Sequence, residues 1–401
     1  MTLDFMPSPS PEHPGVLIRD PFRYTDAMLV IPPVLVECLD CFDGEGTELD
    51  LRKRLVELTG ELDLGGVERN LIDTLSDAGF LEDGTFAAMQ EERKSAFAGR
   101  PVREPAHAGS AYPAGESEVR AWMAENMNGA SAAGSATGPD GLFAIAAPHV
   151  SPEGGWQSYR AAYSRLRPEH KGRTFVILAT SHYGEPETFG LTRKAFRTPL
   201  GEARPDTARI DWLAAHGGAG VSMEDYCHSF EHTAELQVLF LQHMLGPDVK
   251  ILPILIGSFA HSIYRGGLPE SDDKVRAFFD ALGELREREG DNLFWVMGVD
   301  MSHMGIRYRD DFEAVAGHGR MAEVESRDLA RIDRIQSFDA SGYWDLVQEN
   351  QDDLKWCGSS PFYTFLKTAP KSRGELLHYE QWNIDERSVV SFAGMAFSKA
   401  D

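Results

Sequence analysis

The sequence predicts an α/β fold with a mostly parallel central sheet flanked by helices, preceded by a small winged-helix-like domain. Three observations predict it. Four apolar runs, "LFAIAAPHV", "TFVILATSHYG", "KILPILIGS" and "LFWVMGVDMSHMG", are nearly continuous in apolar residues rather than alternating, the mark of strands buried on both faces. Between these runs lie helical stretches, including Ala234 to Leu245 and Asp273 to Glu287. Ahead of them all, residues 16–88 have a different texture, with short helical patterns and Gly turns.

Taken in order, residues 1–15 are rich in Pro and Ser and are expected to be a disordered N-terminus. In residues 16–88, Leu51, Leu55 and Leu58 recur at helical spacing, as do Val67, Leu71, Ile72 and Leu75. "AGFLEDGTF" reads as a helix stop, a short strand and a Gly turn, so three short helices and a small β-wing are expected. Residues 89–102 are a charged connector, and residues 103–401 form the α/β domain. That domain opens with "REPAHAGSAYPAG" and a helix near Glu116 to Asn126. The small-residue run Asn128 to Gly141 then reads as a surface loop. At the far end, "LLHYEQWNIDERSVVSFAGMAFS" reads as two strands extending the sheet.

Composition excludes several function classes. Lys and Arg number 39 and Asp and Glu 63, a formal net charge of −24 with no basic stripe, which argues against nucleic acid and anionic membranes as partners. Four cysteines, Cys38, Cys41, Cys227 and Cys357, are too few for a disulfide scaffold in 401 residues. The start has no basic segment followed by an apolar one, and no apolar run reaches the ~18 residues of a membrane span. A reducing, cytoplasmic setting is expected. Cys38-x-x-Cys41 has no second pair at zinc-ribbon spacing and reads as core. No phosphate loop or G-x-S-x-G is present.

The chemistry collects at strand ends. The first run gives His149, the second His182, and the last Asp300, Ser302 and His303. Ligands of open α/β sheets bind outside the carboxyl ends of the strands, so these residues point to one crevice. "YCHSFEHTAELQ" adds His228, Glu231 and His232 at the mouth of an apolar helix. A single His at a strand end is ordinarily a satisfied polar group; several at one edge are harder to explain that way. Imidazole with carboxylate suits Fe(II), Zn(II) or Mn(II). His228 to His232 also fits H-x-x-E-H, but Ser229 reads as the helix N-cap, which puts His228 outside the helix and breaks the shared face. Cys357 reads as a thiol at the site rim or as packing, and Tyr112 as a turn aromatic that packs or lines the site.

"HAGSAYPAG", "APH", "ATSHYG", "EHTAELQVLFLQHM", "ILPILIGS", "GVDMSHMG" and "CGSSPF" occur in an order that resembles the Memo family, called AmmeMemoRadiSam system protein B in bacteria and archaea, over residues 103 to 399. The resemblance implies a fold similar to class III extradiol dioxygenases, which hold non-haem Fe(II). It implies metal and redox chemistry with iron or copper, and radical-SAM and AMMECR-type partner proteins. Carried over by motif, its metal-site histidines match His149, His182 and His232. The animal members have a cysteine where this chain has Ser302, which leaves Glu231 or Asp300 as a further oxygen donor. "PHVSPEGG" also departs from the commoner "PHAGY". Residues 16–88 resemble PqqD-type winged-helix peptide carriers.

The expectation is therefore a divalent-metal protein, Fe(II) first with Zn or Cu as alternatives. Its metal residues are His149, His182, His232 and Glu231, and its acid–base residues His232, His303 and Asp300. The substrate is a small molecule or peptide, and the chemistry is dioxygenase-like. A metal-dependent hydrolase and a non-catalytic peptide- or partner-binding protein are the alternatives.

Overall fold

The computed structural model describes residues 3–127 and 141–399, and the chain divides into two compact units, Met1–Gly99 and Arg100–Asp401. The run Asn128 to Gly141 falls almost wholly outside the described residues. In the first unit, β1 (Asp4–Pro7), β2 (Val16–Arg19) and β3 (Met28–Ile31) form an antiparallel sheet in the order β1-β2-β3. Three longer helices follow, α1 (Glu48–Thr59), α2 (Gly65–Asp77) and α3 (Gly84–Ala98). Thr47 starts α1 through a capping box with Asp50, and Gly60, at φ 74°, ends it in the left-handed region that glycine adopts without penalty. Leu51, Leu55, Leu71 and Leu75 bury together with Ile18 and Phe80.

This unit differs from the sequence expectation in three places. Asp4–Pro7, in the stretch expected to be disordered, is a strand. Residues 80–83 form no strand. The Gly turn expected at Asp83-Gly84 is instead the start of a helix, because the Asp83 carboxylate accepts from the Thr85 and Phe86 N–H groups. The helix it starts, α3, occupies most of the expected connector.

In the second unit the four apolar runs are β4 (Leu142–Ala147), β5 (Thr174–Thr180), β6 (Lys250–Ile256) and β7 (Leu293–Gly298), buried except for Lys250. They pair in parallel in the order β4-β7-β5-β6. The whole sheet is mixed. Short β8 (His303–Gly305) and the hairpin of β9 (Ser372–Asp385) and β10 (Ser388–Lys399) extend it antiparallel beyond β4. Beyond β6 come the strands Gly201–Pro205, Ala195–Thr198 and Val102–Arg103. Helices pack on the sheet, including α4 (Glu116–Met127), α5 (Pro152–Tyr163), α6 (His232–Leu245), α7 (Asp273–Glu289), α8 (Arg320–Gln336) and α9 (Ser359–Thr368). Among the described residues no helix is long and apolar enough to cross a membrane.

Parallel neighbours put the carboxyl ends of β4, β7 and β5 at one edge, and α6 is fastened across it. Thr233 Oγ1 donates to the Thr180 carbonyl at 2.8 Å, and Gln237 Nε2 to the Pro148 carbonyl at 2.9 Å. Gly298 makes the approach close: a Cβ there would sit 2.8 Å from both the Gln237 side chain and the Thr233 carbonyl.

Candidate metal centre

His149, His182 and His232 meet at that edge, each offering a ring nitrogen within 4.8 Å of the other two. The ring centroids lie 5.0, 5.2 and 5.1 Å apart. Each ring has its Nδ1 engaged. His149 Nδ1 meets the Gly298 carbonyl at 2.9 Å, and His182 and His232 Nδ1 meet Glu231 Oε1 at 3.1 and 3.0 Å. In the neutral form that a metal requires, Nδ1–H donation to these oxygens would leave the Nε2 of each ring as the ligating atom.

Glu231, 1% exposed, is the part that fixes two rings at once. Its Oε2 also accepts from the His182 backbone N–H at 2.8 Å, and Oε1 from that of His232 at 3.0 Å. Glu231 is therefore the N-cap of α6, while Ser229 lies in the preceding 3-10 turn, Tyr226–Ser229. The helix starts two residues later than Ser229 predicts because the carboxylate reaches the His232 N–H directly. Burial alone would raise the Glu231 pKa, but His182 and His232 outweigh it and hold the carboxyl well below its usual range. Burial would lower His182, yet Glu231 and then Cys357 drive it well above the ordinary imidazole value. His149, buried and facing His182 and His232, is held far below it.

The remaining predicted residues take distinct places. Asp300 ties the exits of β4 and β7 together, its Oδ1 accepting from the His149 and Val150 N–H groups at 2.9 and 3.1 Å. Asp300 Oδ2 lies 3.6 Å from His149 Nε2, and burial pushes its pKa up to about 6. Cys357 Sγ is 3.2 Å from the same Nε2, at the mouth of the cluster, with its pKa raised by burial. His303 has its Nδ1 against the Met301 and Lys355 carbonyls and is pushed down to about 4 by burial. Ser302 donates to Asp328 Oδ1, a buried carboxylate that also accepts from Trp356, Ser391 and Tyr379. His228 turns aside, its Nε2 on the Gly190 carbonyl at 3.0 Å, so the H-x-x-E-H pair does not converge. Tyr112 donates to Glu235, away from the three rings.

Two residues the sequence did not single out buttress the centre. Arg103 and Glu235, both with fully buried side chains, form an ion pair. Arg103 also donates to the carbonyls of His228 and Glu231, at 2.8 and 2.9 Å, and so holds the chain just ahead of His232. Glu235 accepts as well from Tyr112 and from the Ala106 and His107 N–H groups. A signal was present: an acid inside a helix that is apolar on every face has to be paired.

Cys357 is placed by Gly358. A Cβ at 358 would lie 2.7 Å from the Asp300 carbonyl oxygen and 2.8 Å from Val299 Cβ. Gly358→Ala is expected to cost about 1–3 kcal/mol through overpacking, read as a lower urea midpoint.

A family model described as "Memo-like protein" matches residues 103–396. A MEMO1 family protein of Aquifex aeolicus is 25% identical over 385 residues, 95% of this chain and 95% of that protein, so the similarity takes in most of the first unit too. A MEMO1 family protein of Thermococcus kodakarensis is 29% identical over 320 residues, 74% of this chain and all of that protein. Among solved structures, the uncharacterized protein JW3007 of Escherichia coli K12 aligns with a TM-score of 0.39 and 12% identity, over 63% of this chain and 99% of that one.

Proposed function

The chain belongs to the Memo family, and from that membership we propose that it is a divalent-metal protein. In this reading His149, His182 and His232 hold the ion, and the site carries non-haem-iron redox chemistry on a small molecule or peptide. The observation that supports this is the convergence of three imidazoles, each with its Nδ1 against an oxygen acceptor. Three histidines leave coordination positions open, as a reactive centre needs. When bound, iron supplies one-electron redox chemistry to the substrate or to O₂.

The chain's own residues supply the rest. Glu231 and the Gly298 carbonyl keep the rings in one tautomer. Asp300 Oδ2 is the oxygen left free by the two backbone amides, and with a pKa of about 6 it can take or release a proton near neutrality. His303, neutral at pH 7, is a base whose Nε2 remains available.

Cys357 favours a second reading. If a metal displaced its proton, the Cys357 thiol beside His149 would turn the donor set into three nitrogens and one sulfur, which suits Zn(II) or copper and, with zinc, a metal-bound water for hydrolysis.

Protein purified without a His-tag and stripped with chelator is expected to take up one Fe(II) per chain under anaerobic titration, with weaker uptake after His182→Ala. If no uptake of Fe(II), Zn(II) or copper is measured, the proposal is wrong. Stopping of turnover without O₂ separates the redox from the hydrolytic reading.

A further inference from the structure

Residues 350–358 run past the metal centre, where Lys355, Trp356 and Cys357 line a cavity of about 340 Å³ together with His182. The backbone there is uncommon. Asn350, Gln351, Asp352 and Lys355 have φ between 53° and 57°, four of the nine non-glycine residues with positive φ among the described residues. That region crowds the Cβ of an L-residue, and of the four only Asn and Asp visit it with any ease. Such strain persists only where the surroundings over-determine it. We propose that Arg331 and Asp352 are positioning residues: their buried ion pair latches this strained strap, and the strap sets the Cys357 thiol and the His303 ring at the metal centre. What those two groups do to a substrate rests on the metal reading above; their placement does not.

Arg331 stands on α8 and is 2% exposed. Its guanidinium donates to Asp352 Oδ1 at 2.7 Å and to the Leu346 carbonyl at 2.9 Å, and it lies 5.2 Å from the centre of the Trp356 ring. One side chain thus grips both the strained turn and the tryptophan beside Cys357. The Asp352 side chain is buried as well, so each charge depends on the other.

Beyond the turn the strap reaches the strand exits. The Leu354 carbonyl accepts from His303 N–H at 3.0 Å, and the Cys357 carbonyl from Thr180 Oγ1 at 3.0 Å. Gly358 N–H donates to the Asp300 carbonyl at 3.1 Å. Lys355, the last of the left-handed residues, turns its carbonyl to His303 Nδ1 at 3.1 Å, and the same nitrogen faces the Met301 carbonyl at 2.9 Å. Two carbonyls about one nitrogen are satisfied only by an N–H, so in the neutral ring the strap fixes the proton on Nδ1 and leaves Nε2 as the acceptor. Two residues on, Cys357 Sγ comes within 3.2 Å of His149 Nε2. Relaxation of the turn at 350–352 would draw both groups off these contacts.

The test alkylates the chelator-treated full chain with N-ethylmaleimide and follows each cysteine by mass spectrometry. Arg331→Met combined with Asp352→Asn removes both charges, so neither is left buried and unpaired, and the melting temperature should stay close to wild type. Cys357 should nevertheless react about tenfold faster, because the unlatched strap opens more often. Cys227, buried in the same unit, should keep its wild-type rate. Arg331→Lys keeps the charge but not the fork that spans Asp352 and Leu346. It should speed Cys357 several-fold, and it serves if the double variant does not fold. A wild-type rate at Cys357 in these variants would overturn the proposal. So would Cys357 and Cys227 accelerating together, which marks a general loosening of the unit. Faster Cys357 alkylation in a chain that takes up no metal would keep the latch and remove the metal reading; metal uptake with Cys357 unchanged in the variants would do the reverse.

Discussion

Glu235→Ala is expected to destabilise the second unit by about 3–5 kcal/mol, the range for breaking a buried ion pair from one side. The Arg103 guanidinium would remain with no access to water, and four groups that now donate to Glu235 would lose their acceptor: Arg103, Tyr112 and the Ala106 and His107 amides. Arg103 also holds the carbonyls of His228 and Glu231, so slackening it disturbs the entry to α6. Metal affinity should therefore fall along with stability. All seven tryptophans lie in residues 100–401, so indole fluorescence during guanidinium unfolding reads this unit alone. Glu235→Gln keeps the shape but not the charge, and should fall between wild type and Ala. The sign with pH follows from the carboxyl. Burial would raise its pKa, but Arg103 and His107 outweigh burial and hold it below the usual range. The stability it contributes is thus fully present above the ordinary carboxylate pKa and is lost as pH falls through the lower folded value. A midpoint within 0.5 kcal/mol of wild type at pH 7 would show that the pair is not structural.

The sheet was legible because its strands announce themselves. Runs such as Thr174–Thr180 and Lys250–Ile256 are too apolar and too short to be anything but strands buried on both faces. Adjacent parallel strands then place His149, His182 and Asp300 at one edge with no further information. What could not be read was the partner of each polar group. Glu231 is next to His232 in the chain and 49 residues from His182, and its single oxygen serves both rings. Arg103 meets Glu235 across 132 residues. Such pairings are set by packing, which periodicity does not encode. The helix start shows the same limit. Ser229 and Glu231 are both able caps, and the choice between them depends on where the chain leaves the turn at Phe230, not on cap preference. In the first unit the Asp83-Gly84 pair is equally consistent with a Gly turn and a helix cap, and it is the Asp83 carboxylate accepting from the Thr85 and Phe86 N–H groups that makes it a cap.

Glu231→Ala is expected to weaken metal binding about 10- to 100-fold, the usual cost of removing a group that orients ligating histidines. The sequence placed Glu231 among candidate ligands; the geometry gives it another task. Its Oε1 meets two ring nitrogens and one backbone amide, and its Oε2 a second amide. Without it, His182 and His232 lose the acceptor that keeps the proton on Nδ1, and either ring can turn or take the other tautomer. Glu231→Gln makes the argument sharper. An amide oxygen can replace Oε1, but the amide nitrogen then faces the His182 N–H, donor against donor, so the glutamine variant should lie near the alanine one rather than near wild type. Affinities come from competition with a chelator of known strength. X-ray absorption of the loaded protein distinguishes the two roles. If Glu231 only orients the rings, the wild-type metal keeps its nitrogen neighbours in the variant and loses no oxygen; if an oxygen neighbour disappears with Glu231, the carboxylate was a ligand and the orienting role assigned to it here is wrong.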